Sequence, residues 1–202
     1  MREEKKQARM REIEAVAYDL LARNGYDGTS MLAVAKAAKA SNETMYRWYG
    51  DKNGLFLNMV RANAADVRAA LDEMVSDGAE PIDILERVAP VLLGMLLGDR
   101  AIALNRAAAA DASGALGVAL VSGGRAEVLP LIERVLGDAV RSGAIVPPKE
   151  GALGPLFMHL LVGDQQIRRV IGGLPAPTKE EVAERAAVAL AQFRRLCAPG
   201  QA

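Results

Sequence analysis

The chain has little of what enzymes and secreted proteins are commonly built on. It contains a single cysteine, Cys197, and a single histidine, His159, in 202 residues. One cysteine permits no intrachain disulfide; Cys197 follows Leu196 near the C-terminus and reads as a helix-end residue. No glutamate lies three residues before His159, so the Glu-x-x-His pairs of helical metal enzymes are missing. A hydrolase triad needs a histidine as base, but His159 stands between Met158 and Leu160 in an apolar stretch and is expected as a core residue. There is no phosphate-binding glycine loop with a lysine: Gly151-Ala152-Leu153-Gly154 and Gly172-Gly173 read as helix-end features. No catalytic residue, cofactor or metal is expected, and an enzyme has no positive support.

Long apolar runs are also lacking. A membrane span needs about 18 or more consecutive apolar residues, and the longest candidates, around 91–97 and 153–162, are too short. The charged start Met1-Arg2-Glu3-Glu4-Lys5-Lys6 has no apolar stretch directly behind it, unlike a signal peptide. The expectation is a soluble cytoplasmic protein that spans no membrane. Net charge is absent too, with 25 basic and 25 acidic residues. Distribution matters more than the sum. Residues 1–11 hold five cations, Arg2, Lys5, Lys6, Arg9 and Arg11, against Glu3 and Glu4, a modest basic tip on a slightly acidic body.

Aromatics are scarce, at 3 Phe, 4 Tyr and 1 Trp, yet Tyr46, Trp48 and Tyr49 crowd into the twelve residues from Ser41 to Lys52. Ser41 is a good N-cap, Gly50 can end a helix, and Asp51 can cap the next one. The spacing predicts a helix of about two turns with Met45 and Tyr49 inward. Asn42, Glu43, Thr44, Tyr46, Arg47 and Trp48 are then left outside, a surface of both signs suited to reading base edges. Just before it, Thr29 and Ser30 can cap a helix from Met31 to about Ala38, with Met31, Val34, Ala37 and Ala38 inward. Lys39-Ala40-Ser41 makes a tight turn. Two short helices so joined, over residues 31–50, have helix-turn-helix geometry.

The rest of the chain reads as helices. Residues 1–7 are expected as a basic arm and about 8–24 as the first helix. A long helix from Asp51 to about Ser76 carries one apolar stripe through its whole length. Pro90 is expected to kink or end the helix begun near Pro81. Helices follow from Arg100 to about 112 and from about 125 to 141, with breaks at Ser113-Gly114 and Ser122-Gly123-Gly124; Pro130 fits if it lies in a first turn. Ile145-Val146-Pro147-Pro148 is an extended connector. The last two helices, about 151–171 and 177–197, form an antiparallel hairpin, and Thr178 with Glu181 makes a capping box. Together these give an all-α fold of about nine helices: a three-helix domain over 8–68 and a second helical domain over 69–202.

Ile13, Ala17, Leu20-Leu21, Asn24-Gly25-Tyr26, Thr29-Ser30, Val34-Ala35, Ala38, Ser41, Thr44-Met45-Tyr46, Tyr49, Lys52 and Leu55-Phe56, at their spacing, resemble the N-terminal DNA-binding domain of the TetR family of bacterial transcriptional regulators. Lys39 stands where the family usually has glycine; if left-handed it costs roughly 1 kcal/mol. Glu43, Trp48 and Tyr49 replace a common Gly, His and Phe. The resemblance implies a regulator, a repressor in the usual case, that binds a near-palindromic operator in double-stranded DNA. Asn42, Glu43, Thr44 and Arg47 are the candidates for reading bases. Tyr46, Thr44, Trp48, Lys52, Thr29, Ser30, Lys39 and the basic arm are the candidates for holding phosphates, and the cap Ser41 is counted with the DNA-binding set. The family pairs its last two helices across a homodimer and releases DNA on binding a small effector in the second domain. The Leu-, Val-, Ala- and Met-rich interior suits an apolar effector, with Met95, Asn105, Met158 and His159 as possible wall residues. The alternative is a helical interaction module that binds no DNA.

Overall fold

The computed structural model describes residues 2–148 and 151–199. The described residues form eleven α-helices and no strand: α1 Arg2–Asn24, α2 Met31–Ala37, α3 Asn42–Tyr49, α4 Lys52–Ser76, α5 Pro81–Leu97, α6 Asp99–Ala110, α7 Ala115–Leu120, α8 Ala126–Arg141, α9 Leu153–Val162, α10 Gln165–Val170 and α11 Lys179–Leu196. The all-α architecture matches the expectation. The count exceeds nine because residues 115–120, where no helix was expected, form α7, and because Gly163-Asp164 splits the expected 151–171 helix into α9 and α10. Lys149 and Glu150, an alternative start for that helix, lie outside the described residues.

Two compact units are present, and they do not follow chain order. Unit 1 takes residues 1–63 together with 103–124; unit 2 takes 64–102 and 125–202. The expected boundary near residue 68 falls inside α4, and the segment 103–124 belongs with the N-terminal unit. The reason lies in its side chains: Leu104, Ala107 and Leu116 are buried in one cluster with Ile13, Ala17, Met45, Tyr49, Leu55 and Phe56.

Residues 2–7, expected as an arm, are the first turns of α1. Glu3 explains this, since it favours the positive end of the helix and bonds Gln7 one turn on. Pro90 does not end α5, which runs on to Leu97. Its flanks Val88, Ala89, Leu92 and Leu93 are all buried, and that burial outweighs the one hydrogen bond that proline removes. Ser122-Gly123-Gly124 is no break either; it is part of a π-helical turn, Val121–Arg125, joining α7 to α8. A β-carbon on Gly123 would lie 2.7 Å from a Leu57 methyl, so glycine lets this turn approach α4 within unit 1. The helix therefore starts earlier than expected, and Pro130 sits inside it on the exposed side. The continuous stretch Ala115–Arg141 is long and apolar enough to cross a membrane by length and composition alone, which single-segment reading missed. Its apolar residues have another use, because Leu116 is buried in unit 1 and Val128, Ile132, Val135 and Leu136 in unit 2.

Unit 2 is built on α5 and α11, which pack against each other and both against α9. Phe157 and Phe193 meet edge-to-face at 5.6 Å in its core. The capping box of Thr178 and Glu181 forms as expected. Cys197 caps α11, is buried, and its carbonyl accepts from the Val146 amide at 2.8 Å. Phe193→Ala should lower stability by about 3–5 kcal/mol, since the ring is fully buried and its partner ring cannot collapse into the void. Denaturant unfolding followed by circular dichroism measures this, and a loss below about 1 kcal/mol is incompatible with the packing described.

Candidate nucleic-acid interface

The site is built from the end of α2, the turn after it, α3, and the start of α4, all within unit 1. Ser30 caps α2, its hydroxyl accepting from the Ala33 amide at 3.1 Å. Met31, Val34, Ala35 and Ala38 are buried; Ala37 is exposed, and Ala35 takes its place. The turn contains Lys39 at φ 51°, the left-handed conformation anticipated for that position. Ser41 caps α3, accepting from the Thr44 amide at 3.0 Å. Gly50, at φ 77°, closes α3 by donating to the Tyr46 carbonyl at 2.9 Å. Asp51 caps α4 through the Gly54 amide at 2.7 Å.

Inside α3, Met45 is 0% and Tyr49 5% exposed. That pair fixes the helix about its own axis, and the outward face follows. Asn42, Glu43, Tyr46 and Arg47 are exposed, Tyr46 by 56%. Glu43 and Arg47, one turn apart, face each other at 3.6 Å. Thr44 is half-buried and its hydroxyl lies 2.9 Å from that of Ser41. Trp48, expected outward, is half-buried against the unit 1 core: an indole too large to stand free covers the flank of the helix. Lys39, Ser30 and Ser41 are exposed. Thr29 is a correction. It is 6% exposed and its hydroxyl donates to the Gly25 carbonyl at 2.8 Å, so it closes the preceding turn instead of facing solvent.

Lys52 is held differently from a free surface lysine. Its ammonium lies 3.9 Å from the centre of the Tyr26 ring, a cation–π contact. Burial draws the lysine below its ordinary pKa, and Asp27 partly offsets this. The Tyr26 hydroxyl donates to Asn53 Oδ1 at 2.5 Å, and its ring meets Phe56 edge-on. Burial first, then the carboxylates Asp51, Asp111 and Asp27, push Tyr26 up to about 12. Tyr49 is raised as well, by burial and by Glu14, with Arg9 opposing. Both phenols are neutral donors at neutral pH. Sequence reasoning missed Tyr26 as the seat of Lys52. It also missed Arg9, counted only among the cations of the basic tip but in fact bonded to the α2–α3 turn.

The expected effector-wall residues do not assemble. Met95 and Met158 are half-buried against the unit 2 core, Asn105 belongs to unit 1, and His159 is exposed on α9 instead of packed in a core. A groove of about 380 Å3 does open between α5 and α11, lined by Pro90, Ala183, Ala187, Leu190, Glu86 and Arg194 among others; none of the expected residues lines it.

The glycine in the first turn of α4 is sterically required. A β-carbon on Gly54 would sit 1.9 Å from the Tyr49 carbonyl oxygen, a backbone atom that cannot step aside. Gly54→Ala should therefore separate α4 from the end of α3 and cost about 1–3 kcal/mol. Urea unfolding with Trp48 fluorescence as probe reads it; an alanine variant as stable as the parent, with unchanged emission, refutes the contact.

Residues 13–59 match the family described as bacterial regulatory proteins, tetR family. Over 54 residues the chain is 33% identical to the uncharacterized HTH-type transcriptional regulator YdeS of Bacillus subtilis, a match that takes in 27% of each chain. It therefore spans about a quarter of that relative's length. Among solved structures, a TetR transcriptional regulator from Agrobacterium tumefaciens is similar at 26% identity and TM-score 0.71, over 94% of each chain. The transcriptional regulator FadR of Bacillus subtilis, solved in complex with stearoyl-CoA, shares the fold at 16% identity and TM-score 0.67, over 90% of this chain and 96% of that one.

Proposed function

We propose, for a chain that belongs to the tetR family of transcriptional regulators, that it is a ligand-responsive repressor which binds a near-palindromic operator as a homodimer. Family and fold are those of DNA-binding regulators and not of enzymes. The observation that carries the reading is the division of α3: Met45 and Tyr49 locked inward, Asn42, Glu43, Tyr46 and Arg47 displayed outward, capped at both ends. A short, rigidly seated helix with such a face is the element that enters a major groove. Arg47 has the fork for a guanine edge and Asn42 the amide for an adenine. Ser30, Lys39, Tyr46 and Lys52 would hold phosphates, contacts that set register and carry no sequence information directly. Thr29, buried, leaves that set.

A homodimer through α9 to α11 is supported by the apolar groups those helices leave in solvent: Ile167, Ile171, Val188 and Leu196, Ile171 by 72%. Control by an apolar small molecule is supported by the aliphatic interior of unit 2 and by a fold neighbour crystallised with an acyl-CoA. In the proposed mechanism, α4 is the link. Its residues up to 63 belong to the unit that carries α3 and those from 64 onward to unit 2. A ligand that prefers one setting of α4 would shift the population away from the DNA-competent state.

Selection of binding sites from random duplex DNA by the full-length protein tests the reading. Arg47→Ala should weaken the selected site by about 1–3 kcal/mol and leave random DNA nearly unaffected; equal losses on both refute base reading. Lys52→Ala should weaken both alike and reduce the dependence of affinity on salt by roughly one phosphate per protomer. An unchanged salt slope removes Lys52 from the phosphate set. Titration with a long-chain acyl-CoA, read as release of the selected site, tests the effector class.

A further inference from the structure

We propose that Arg9 is a positioning residue that sets the aim of α3 by clamping the α2–α3 turn, and that it is not a phosphate contact. The inference rests on the DNA-binding reading above and adds to it a residue outside the helix-turn-helix itself. Arg9 lies on α1, about thirty residues upstream in sequence. One of its terminal nitrogens donates to the Ala38 carbonyl at 2.6 Å and to the Lys39 carbonyl at 3.0 Å; the other meets Glu12 Oε2 at 2.5 Å. Both ends of the guanidinium fork are thus committed within unit 1, and the side chain is only about one third exposed.

Two features make this turn worth clamping. Ala38 is the C-cap of α2, where carbonyls point out of the helix ladder and the helix end carries partial negative charge, so a cation is favoured there. Lys39 is the one non-glycine residue with positive φ among those described. A lysine in the left-handed region is strained relative to glycine, and its preferred relaxation would swing the chain that leads into α3. By holding the carbonyls on both sides of that φ, Arg9 keeps the turn in its strained form. A second tie from the same stretch of α1 reaches α3 itself: the Tyr49 hydroxyl donates to the Met10 carbonyl at 3.5 Å. A lysine at position 9 would keep the charge but lacks the planar fork that engages two carbonyls and a carboxylate at once.

The test uses the full-length protein, its selected site, random duplex DNA, and hydrogen exchange in the absence of DNA. Arg9→Ala should weaken the selected site about tenfold with an unchanged salt slope, and should speed amide exchange through residues 39–44 in the free protein. Arg9→Lys should reproduce most of both effects despite its retained charge. The turn's strain supplies the deciding arm: with Lys39→Gly already in place, Arg9→Ala should cost less than about threefold. A salt slope lowered by roughly one per protomer, with equal losses on random DNA, overturns the proposal and makes Arg9 a phosphate contact. So does full affinity in Arg9→Lys, or an Arg9→Ala penalty that Lys39→Gly does not reduce. Should the parent protein select no site at all, the DNA-binding reading fails. The exchange at residues 39–44 then still decides the clamp, with unchanged rates in Arg9→Ala overturning it.

Discussion

Everything exposed on α3 is exposed because Met45 and Tyr49 are not. An eight-residue helix is far too short to persist alone in water, so its existence and its rotation are both set by what it buries. Two side chains one turn apart, seated among Ile13, Ala17, Leu55 and Phe56, leave a single rotational setting. The polar groups on the other side then have no say in where they point. Caps at Ser41 and Gly50 fix the length of the helix, and the missing β-carbon of Gly54 allows α4 to start directly against its end. The outward polar face of α3 is in this sense a by-product of a small core, which is why a single added methyl at position 54, outside that face, bears on it.

The same chain solves the problem of its helix ends with arginines from elsewhere. Arg9 serves the end of α2, Arg169 donates to the Leu97 carbonyl at the end of α5 and pairs with Asp99 at 2.6 Å, and Arg185 donates to the Leu160 and Leu161 carbonyls near the end of α9. Arg169 is among the few buried charges, and it is tolerable there because carbonyls and a carboxylate replace its water. Each of these ties spans tens of residues of sequence. They also account for three of the chain's 25 basic residues.

Local rules made the ends and faces of α3 legible: a serine cap, a glycine stop and a 3.6-residue period suffice when an element is short and bounded by its own punctuation. The capping box at Thr178 was readable for the same reason. What failed was decided at long range. Pro90 looks like a helix breaker until the burial around it is known. Ser122-Gly123-Gly124 looks like a loop until Leu57 is seen to need the room. Thr29 and Ser30 are equivalent as caps in sequence; only the fold shows that one bonds Gly25 and the other Ala33. His159, flanked by apolar neighbours, read as core, yet a helix with one wet side exposes whichever residue the period assigns to it. The residues expected to line an effector site carried the weakest signal, since Met95, Asn105 and Met158 bear no spacing that distinguishes a wall from ordinary packing.

Charge bears last on how such a face would discriminate. A reading helix gains affinity for any duplex from each cation it shows to phosphates, and that gain carries no information. Here the exposed cation of α3, Arg47, already faces Glu43 at 3.6 Å. An exposed pair of this kind is worth only about 0–1 kcal/mol, so a guanine edge that offers Arg47 two acceptors can readily draw it away. Glu43 beside it is a repelling charge toward phosphate, which disfavours a backbone contact for Arg47 without penalising a neutral base edge. Lys52, drawn over the Tyr26 ring and partly desolvated, is likewise a cation at a fixed place and not a mobile one. On the proposed reading, Arg47 serves the contacts that depend on sequence and Lys52, held in place by Tyr26, fixes the register of the helix on the phosphates.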